Sequence, residues 1–273
     1  MFITEPANKG AVVLEAREWL YLAERLGMSR WLGTKHPFHV FLREGLDPIA
    51  GDARESLLRK GYITPSAHGD HVSLPLDVMN NLTAASHAGK ACRLNYVSGK
   101  RAYEEYLHIA GEQLIRLERL FRRTPSYLME RTAGARQVSG ALAGKMKWNT
   151  RTTGELPALM MSRKQFEALM HQAPEMDLDR ITSRLAEMTD DEEGGIALAK
   201  CIKTRISQGD IRFYAKRGED WETQNMQFIN NDHMNWLIRF SAKEEEDWMI
   251  ATPTPRQKFQ EMLLMWFRQP LEL

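Results

Sequence analysis

The chain changes its hydrophobic period in the same order twice, and this repetition restricts its fold more than any single motif does. From Ile211 to Arg268 it reads IRFYAKRGEDWETQNMQFINNDHMNWLIRFSAKEEEDWMIATPTPRQKFQEMLLMWFR. Four short strand-like runs are separated by polar or acidic turns and closed by a proline-led helix. Apolar residues at every second position bury one side of an extended chain, whereas spacings of three and four bury one side of a helix. Asn230, Asn231 and Asp232 tolerate φ > 0 between two apolar-rich runs, which predicts a hairpin. Thr254 before Pro255 predicts a helix N-cap, and Phe259, Met262, Leu263 and Trp266 follow at helical spacing.

The upstream copy begins at Cys92, where Cys92, Leu94 and Tyr96 alternate with Arg93, Asn95 and Val97. RLNYV matches RFYAK in pattern, YLHIAGEQLIRLERL matches MQFINNDHMNWLIRF, and LPALMMSRKQFEALM matches DWMIATPTPRQKFQEML. The likeness lies in residue type and order, with few identities. The expected fold is α+β: pseudo-twofold duplicated strand-hairpin-strand-helix halves form a central antiparallel sheet flanked by helices. The expected division is 1–171, a half with a winged-helix-like start and an inserted loop over 122–155, and 172–273, the second half, together one integrated domain.

Around these repeats the periodicity is mostly helical. Val12 to Gly27 places Val13, Leu14, Trp19, Leu20, Leu22, Ala23 and Leu26 mainly on one side of a helix. Phe38, Val40, Phe41 and Leu42 form an apolar cluster, and Asp52 caps a predicted helix that stops at Gly61. Tyr62-Ile63 and Val72 to Leu74 suit a small hairpin, completing the winged-helix-like unit, and Asp77 to Ala88 reads as a further helix. Arg122 to Glu155 is poorly patterned and reads as a mobile insertion with room for one short helix. Leu156 to Met161 reads as the fourth strand of the first half, Ser162 as the cap of a helix with Phe166, Leu169 and Met170, and Asp177 to Gln208 as largely helical.

At 273 residues and 43% hydrophobic content the chain can build its own core, and a net charge of +1 exerts no global pull on nucleic acid or anionic membrane. Charges interrupt every apolar run short of the roughly 20 residues a bilayer span needs. The N-terminus lacks the layout of a secretory signal, so the expected compartment is the cytoplasm. Cys92 and Cys201 read as buried thiols.

No sequence pattern assembles a reaction centre. His36 with His39, and His68 with His71, have a spacing that could hold a metal only on a helix, and they read as loop histidines. GxSxG, Walker A, GxGxxG and kinase signatures are absent, and Asp190 to Glu193 reads as a solvated helix end. The expectation is a protein that is not an enzyme, with no metal and no cofactor. The stretch Arg116 to Lys164 is rich in Arg and Lys, while Glu175 to Glu193 is acidic. This polarity opens nucleic-acid binding through the winged-helix-like unit, where Arg54, Arg59 and Lys60 are partly balanced by Asp52 and Glu55. The other opening is a sheet with one uncovered side, on which Tyr214, Trp221, Trp236, Arg239 and Trp248 would bind a protein, rimmed by the acidic loop Lys243 to Asp247.

The order LEAREWLYLAERLGM, SLLRKGYI, LPLDVMNNL, RLNYV, YLHIAGEQLIRLERL and LPALMMSRKQFEAL resembles the EspG family of cytosolic chaperones in type VII secretion. The resemblance implies related halves around a central antiparallel sheet. It also implies stoichiometric binding of a folded helical secretion substrate, whose aggregation-prone tip is masked until delivery for export. It brings no catalytic residues. The stretches Arg122 to Glu155 and Asp177 to Gln208 depart from a compact version of that pattern and leave the partner and contact surface open. The alternative is a winged-helix DNA-binding transcription regulator.

Overall fold

The computed structural model describes residues 11–28, 51–121, 124, 126–151, 156–218, 220–241 and 246–271. Strands β4 (Lys90–Ser98) and β9 (Ser207–Arg217) lie side by side in the middle of a ten-stranded antiparallel sheet. Outward from β4 come β5 (Arg101–Ala110), β6 (Gln113–Leu120), β7 (Ser126–Arg131) and β1 (Val12–Glu15). Outward from β9 come β10 (Asp220–Asn230), β11 (Asn235–Phe240), β12 (Met249–Pro253) and β8 (Leu159–Met161).

The two series correspond strand for strand. Gly99 and Gly218, with φ of 62° and 61°, make equivalent turns after β4 and β9, a backbone shape that a side chain would strain. Gly218 follows Gly99 by the same interval that separates Arg212 from Arg93, and Arg93 is the register partner of Arg212. The pseudo-twofold axis therefore passes between these two arginines.

Eight helices lie among the described residues. Each edge strand runs straight into one: α1 (Ala16–Arg25) follows β1, and α5 (Arg163–Gln172) follows β8. α2 (Gly51–Arg59), the hairpin β2 (Ile63–Thr64) with β3 (His71–Val72), and α3 (Leu76–Ser86) precede β4. α6 (Leu178–Met188) and α7 (Glu192–Lys203) precede β9. α4 (Ala135–Lys145) follows β7, and α8 (Arg256–Arg268) follows β12.

Alternation along the strands sorts their side chains into three cores. One side of the central strands buries Cys92, Leu94, Tyr96, Ile211, Phe213 and Phe228 beneath α4 and α8, where Trp148 stacks on Phe259 at 3.9 Å. On the other side, α1 to α3 cover the β5–β6–β7–β1 end around Trp19, Leu117 and Met129. The β11–β12–β8 end of that side lies under α5 to α7, around Trp236, Ile238 and Met249. Burial pushes both free thiols up, that of Cys201 to about 12.

Several expectations change. Val12 to Glu15 is strand rather than the first turn of a helix: two adjacent valines suit the sheet, and all four residues pair with β7. The stretch 122–155, read as an insertion, supplies β7 and α4. Its alternation was short and masked by charge, and Gly140 and Gly144 lower the helical signal of α4. A Cβ at either glycine would meet α8 at an ordinary 3.7 Å, from Gln260 Nε2 or Arg256 Nη2. Leu156 to Met161, expected as the fourth strand of the first half, instead supplies β8, which pairs with β12. Thr254 does not cap α8; its hydroxyl donates to Thr252 O at 2.9 Å, and Pro255 takes the cap position. Ser162 does cap α5, accepting from Gln165 N at 3.2 Å. Gly194 and Gly195 lie within α7, which Asp191 caps.

Candidate partner-binding face

Strands β4 and β9, with the adjoining part of β10, show one side on which no described helix lies, whereas β5 beside them is covered by α3, which helps bury Tyr106. Across its middle runs a single register row, Tyr106, Arg93, Arg212 and Asn225. The next row toward the β4–β5 turn holds Glu104, Asn95, Asp210 and Gln227. Asn95, Val97, Arg212, Thr223 and Asn225 are exposed here, on a solvated side of the kind an antiparallel sheet commonly keeps.

The charges are unevenly satisfied. Glu104 accepts from Arg119 Nη1 at 2.7 Å, Tyr106 Oη at 3.0 Å and Arg93 Nη2 at 3.2 Å. Burial works to raise its pKa, but the bonds from Arg119 and Tyr106 and the charges of Arg119 and Arg93 outweigh it, so the carboxyl stays below its ordinary value. Asp210 is raised by burial against the pull of Arg93 and Arg212. Arg212 Nε donates to Asn225 Oδ1 at 2.9 Å.

A groove of about 450 Å³ separates this face from α5. Asn95, Val97, Gln208, Asp210 and Gln227 line its floor, and Phe166, Glu167, Met170 and His171 its wall. Val97 is 43% exposed within it, an apolar β-branched side chain beside amides. The arrangement offers a hydrogen-bonding floor beside two arginines and a mixed wall, where Met170 is apolar and Glu167 and His171 are polar. Nothing in it pairs a nucleophile with a base.

The five residues expected to bind protein divide. Tyr214 and Trp221 lie on this face, on neighbouring strands β9 and β10, Tyr214 buried and Trp221 half-buried. Trp236 is fully enclosed between the sheet and α5 to α7 and belongs to the core, because a side chain without surface cannot touch a docked partner. Arg239 pairs in register with Met226 and Ile250, which turns it to the α4/α8 side. Trp248 is 36% exposed, and its indole donates to Glu246 Oε2 at 2.9 Å. Of the expected acidic rim, 243–245 lie outside the described residues; Asp247 accepts from Ser162 Oγ at 2.6 Å and Lys164 N at 2.9 Å, holding the start of α5. Arg93, Asn95, Val97, Asp210 and Arg212 were missed. Superposing RLNYV on RFYAK already puts Arg93 over Arg212, but only the antiparallel seam shows that the two copies face each other.

The basic residues of the N-terminal unit are engaged internally. Arg54 grips Asp70 through two bonds of 2.7 Å, Lys60 meets the buried Glu18 at 2.7 Å, and Arg59 lies 4.0 Å from Glu55. Among the described residues no group of three His, Cys, Asp or Glu side chains comes together as a metal set; His36 and His39 lie outside them. The apolar cluster expected at Phe38 to Leu42 also lies outside them. No described helix is long and apolar enough to cross a membrane.

Among solved structures, the fold is similar to that of the Mycobacterium tuberculosis type VII secretion system chaperone EspG5, solved in complex with a PE25-PPE41 dimer. The TM-score is 0.63 at 9% sequence identity, over 96% of this chain and 98% of that one. No family model matches the sequence, and no curated protein does.

Proposed function

We propose that this chain is a cytoplasmic chaperone or adaptor of a secretion system that binds a helical substrate protein one to one and delivers it for export. The observation that carries the reading is the open middle of the sheet, walled by helices at both ends and grooved along α5. A ready-made sheet face flanked by helices can seat the end of a helical protein without first rearranging, which spares the ordering cost that weakens association. The shared fold with a chaperone solved on a PE-PPE dimer supports a helical guest. Burial of apolar surface along Val97, Met170 and Trp221 drives association, and the amides and charges of the floor select the guest. The binding needs neither nucleotide nor metal.

The two halves act as one integrated domain. In this reading β8 and α5 stand in the second series of strands where β1 and α1 stand in the first.

The test is co-expression with candidate helical secretion substrates, followed by size-exclusion chromatography in low and high salt. The expected result is a stoichiometric complex that survives high salt, with slowed amide exchange in β4, β9, β10 and α5. Consistent failure across candidates, or protection confined to another surface, counts against the reading. The DNA-binding alternative predicts affinity that falls steeply with salt and depends on Arg54, Arg59 or Lys60. The pairing of Arg54 with Asp70 and of Lys60 with the buried Glu18 favours the protein partner.

A further inference from the structure

The duplication supplies an internal standard: a position in one half can be read against its twin in the other. Arg116 and Arg239 are such twins on the α4/α8 side of the sheet. Arg116 is reached from Cys92 through Leu107, and Arg239 from Ile211 through Met226, along matching register rows. Arg116 sits among three carboxylates, Glu105 at 3.1 Å, Glu118 at 3.0 Å and Glu130 at 2.7 Å. The twins of those acids are Gln224, Ser241 and Ile250. Arg239 thus has the charge of its twin and none of the three counterions. It is exposed, and among the described residues it makes no hydrogen bond or ion pair.

The surface around Arg239 is largely apolar. Half-buried Ile250 and then Met160, 64% exposed, follow it along the same row. Trp248, 36% exposed, lies opposite Ser241 just before β12. The acid at this end, Glu246, is bonded to Ser241 Oγ at 2.7 Å and to the Trp248 indole rather than to Arg239. Arg, Trp and Met are residue types enriched where proteins meet.

We infer that Arg239, Ile250, Met160 and Trp248 form a second docking surface, which takes an acidic segment of a partner protein with apolar residues beside its carboxylates. The partner supplies from outside what Glu105, Glu118 and Glu130 supply to Arg116 from within, and the planar guanidinium pairs with a carboxylate through two N–H donors. One cation among apolar side chains suits a protein acid, whereas a nucleic-acid backbone calls for a row of cations. The role of the surface rests on the chaperone reading. It lies on the opposite side of the sheet from the guest face, so a component of the export machinery can dock while the guest is held.

Phage-displayed short random linear peptides, selected on the full chain, test the surface. The expected peptides carry acids beside Leu, Phe or Trp and slow amide exchange in β11, β12 and β8. Their affinity falls about 10-fold or more in Arg239→Gln and in Met160→Asp, and Arg239→Glu turns the selection toward basic peptides. Without peptide, Arg239→Gln melts with the parent, whereas Arg116→Gln melts lower because it takes a guanidinium from the buried Glu105. A lowered melting temperature in Arg239→Gln would show that an acid of the chain already holds this arginine, and would overturn the inference. So would enriched peptides without acids, tolerance of Arg239→Gln, protection confined to another surface, or no enrichment. Dimers of the chain that Arg239→Glu dissociates would put a second copy on this surface and overturn the partner inferred. The chaperone reading fails separately, since failure to find a guest for the open face leaves peptide binding at Arg239 unchanged.

Discussion

Tryptophans at 221 and 236 share a sheet but have opposite fates, and mutation separates them. Trp236 is sealed among Ile238, Met249 and the helices beyond, so Trp236→Ala should cost about 3–5 kcal/mol in a urea titration. Trp221 is half-buried near the end of β10, so Trp221→Ala should weaken guest binding while the urea midpoint moves little. Lys90 offers a different readout. It is buried, donates to the carbonyls of Trp266 and Gln269 at the end of α8, and stacks its ammonium 4.4 Å from the Trp266 ring. Burial pushes its pKa down to about 8. The unfolded chain therefore binds more protons between about pH 8 and about pH 10, and stability rises with pH through that window and is flat below it. Urea midpoints compared with those of Lys90→Met should show this slope in the parent and lose it in the variant.

At the scale of elements, Gly209 sets the seam. It pairs with Tyr96 on one side and Phe228 on the other, and these rings lie 6.3 Å apart across it. A Cβ there would come within 2.3 Å of Tyr96 Cβ and 2.4 Å of Asn95 O. Gly209→Ala should cost about 1–3 kcal/mol and speed amide exchange first in β4 and β9. Strand order in the central meanders was legible because alternation and turn residues coincide, as in YLHIAGEQLIRLERL around Gly111. The outer strands were not. β8 has three residues and β1 four, too short to show a period, and their placement depends on partners far along the chain. The open face was anticipated as a possibility, but its residues were sought among aromatics. Its polar floor reads in sequence as ordinary solvated alternation.

Taken whole, the molecule shares one of its three cores between the halves: Leu94, Leu107 and Leu142 from the first pack with Phe213, Phe259 and Leu263 from the second. Fragments 1–151 and 152–273 should each expose this surface alone and bind a hydrophobic dye. Mixed in equal amounts, they should recover the circular dichroism and melting transition of the intact chain. Independent, native-like melting of either fragment would show that the halves are separable domains.

The β4–β9 pairing joins residues more than half a sheet's worth of chain apart in synthesis order. A growing polypeptide displays β4 as a naked hydrogen-bonding edge until the ribosome has released β9. During that interval a neighbouring nascent copy carrying the same unpaired strand is a competing partner, so crowded polysomes should yield intertwined dimers that dilute translation avoids.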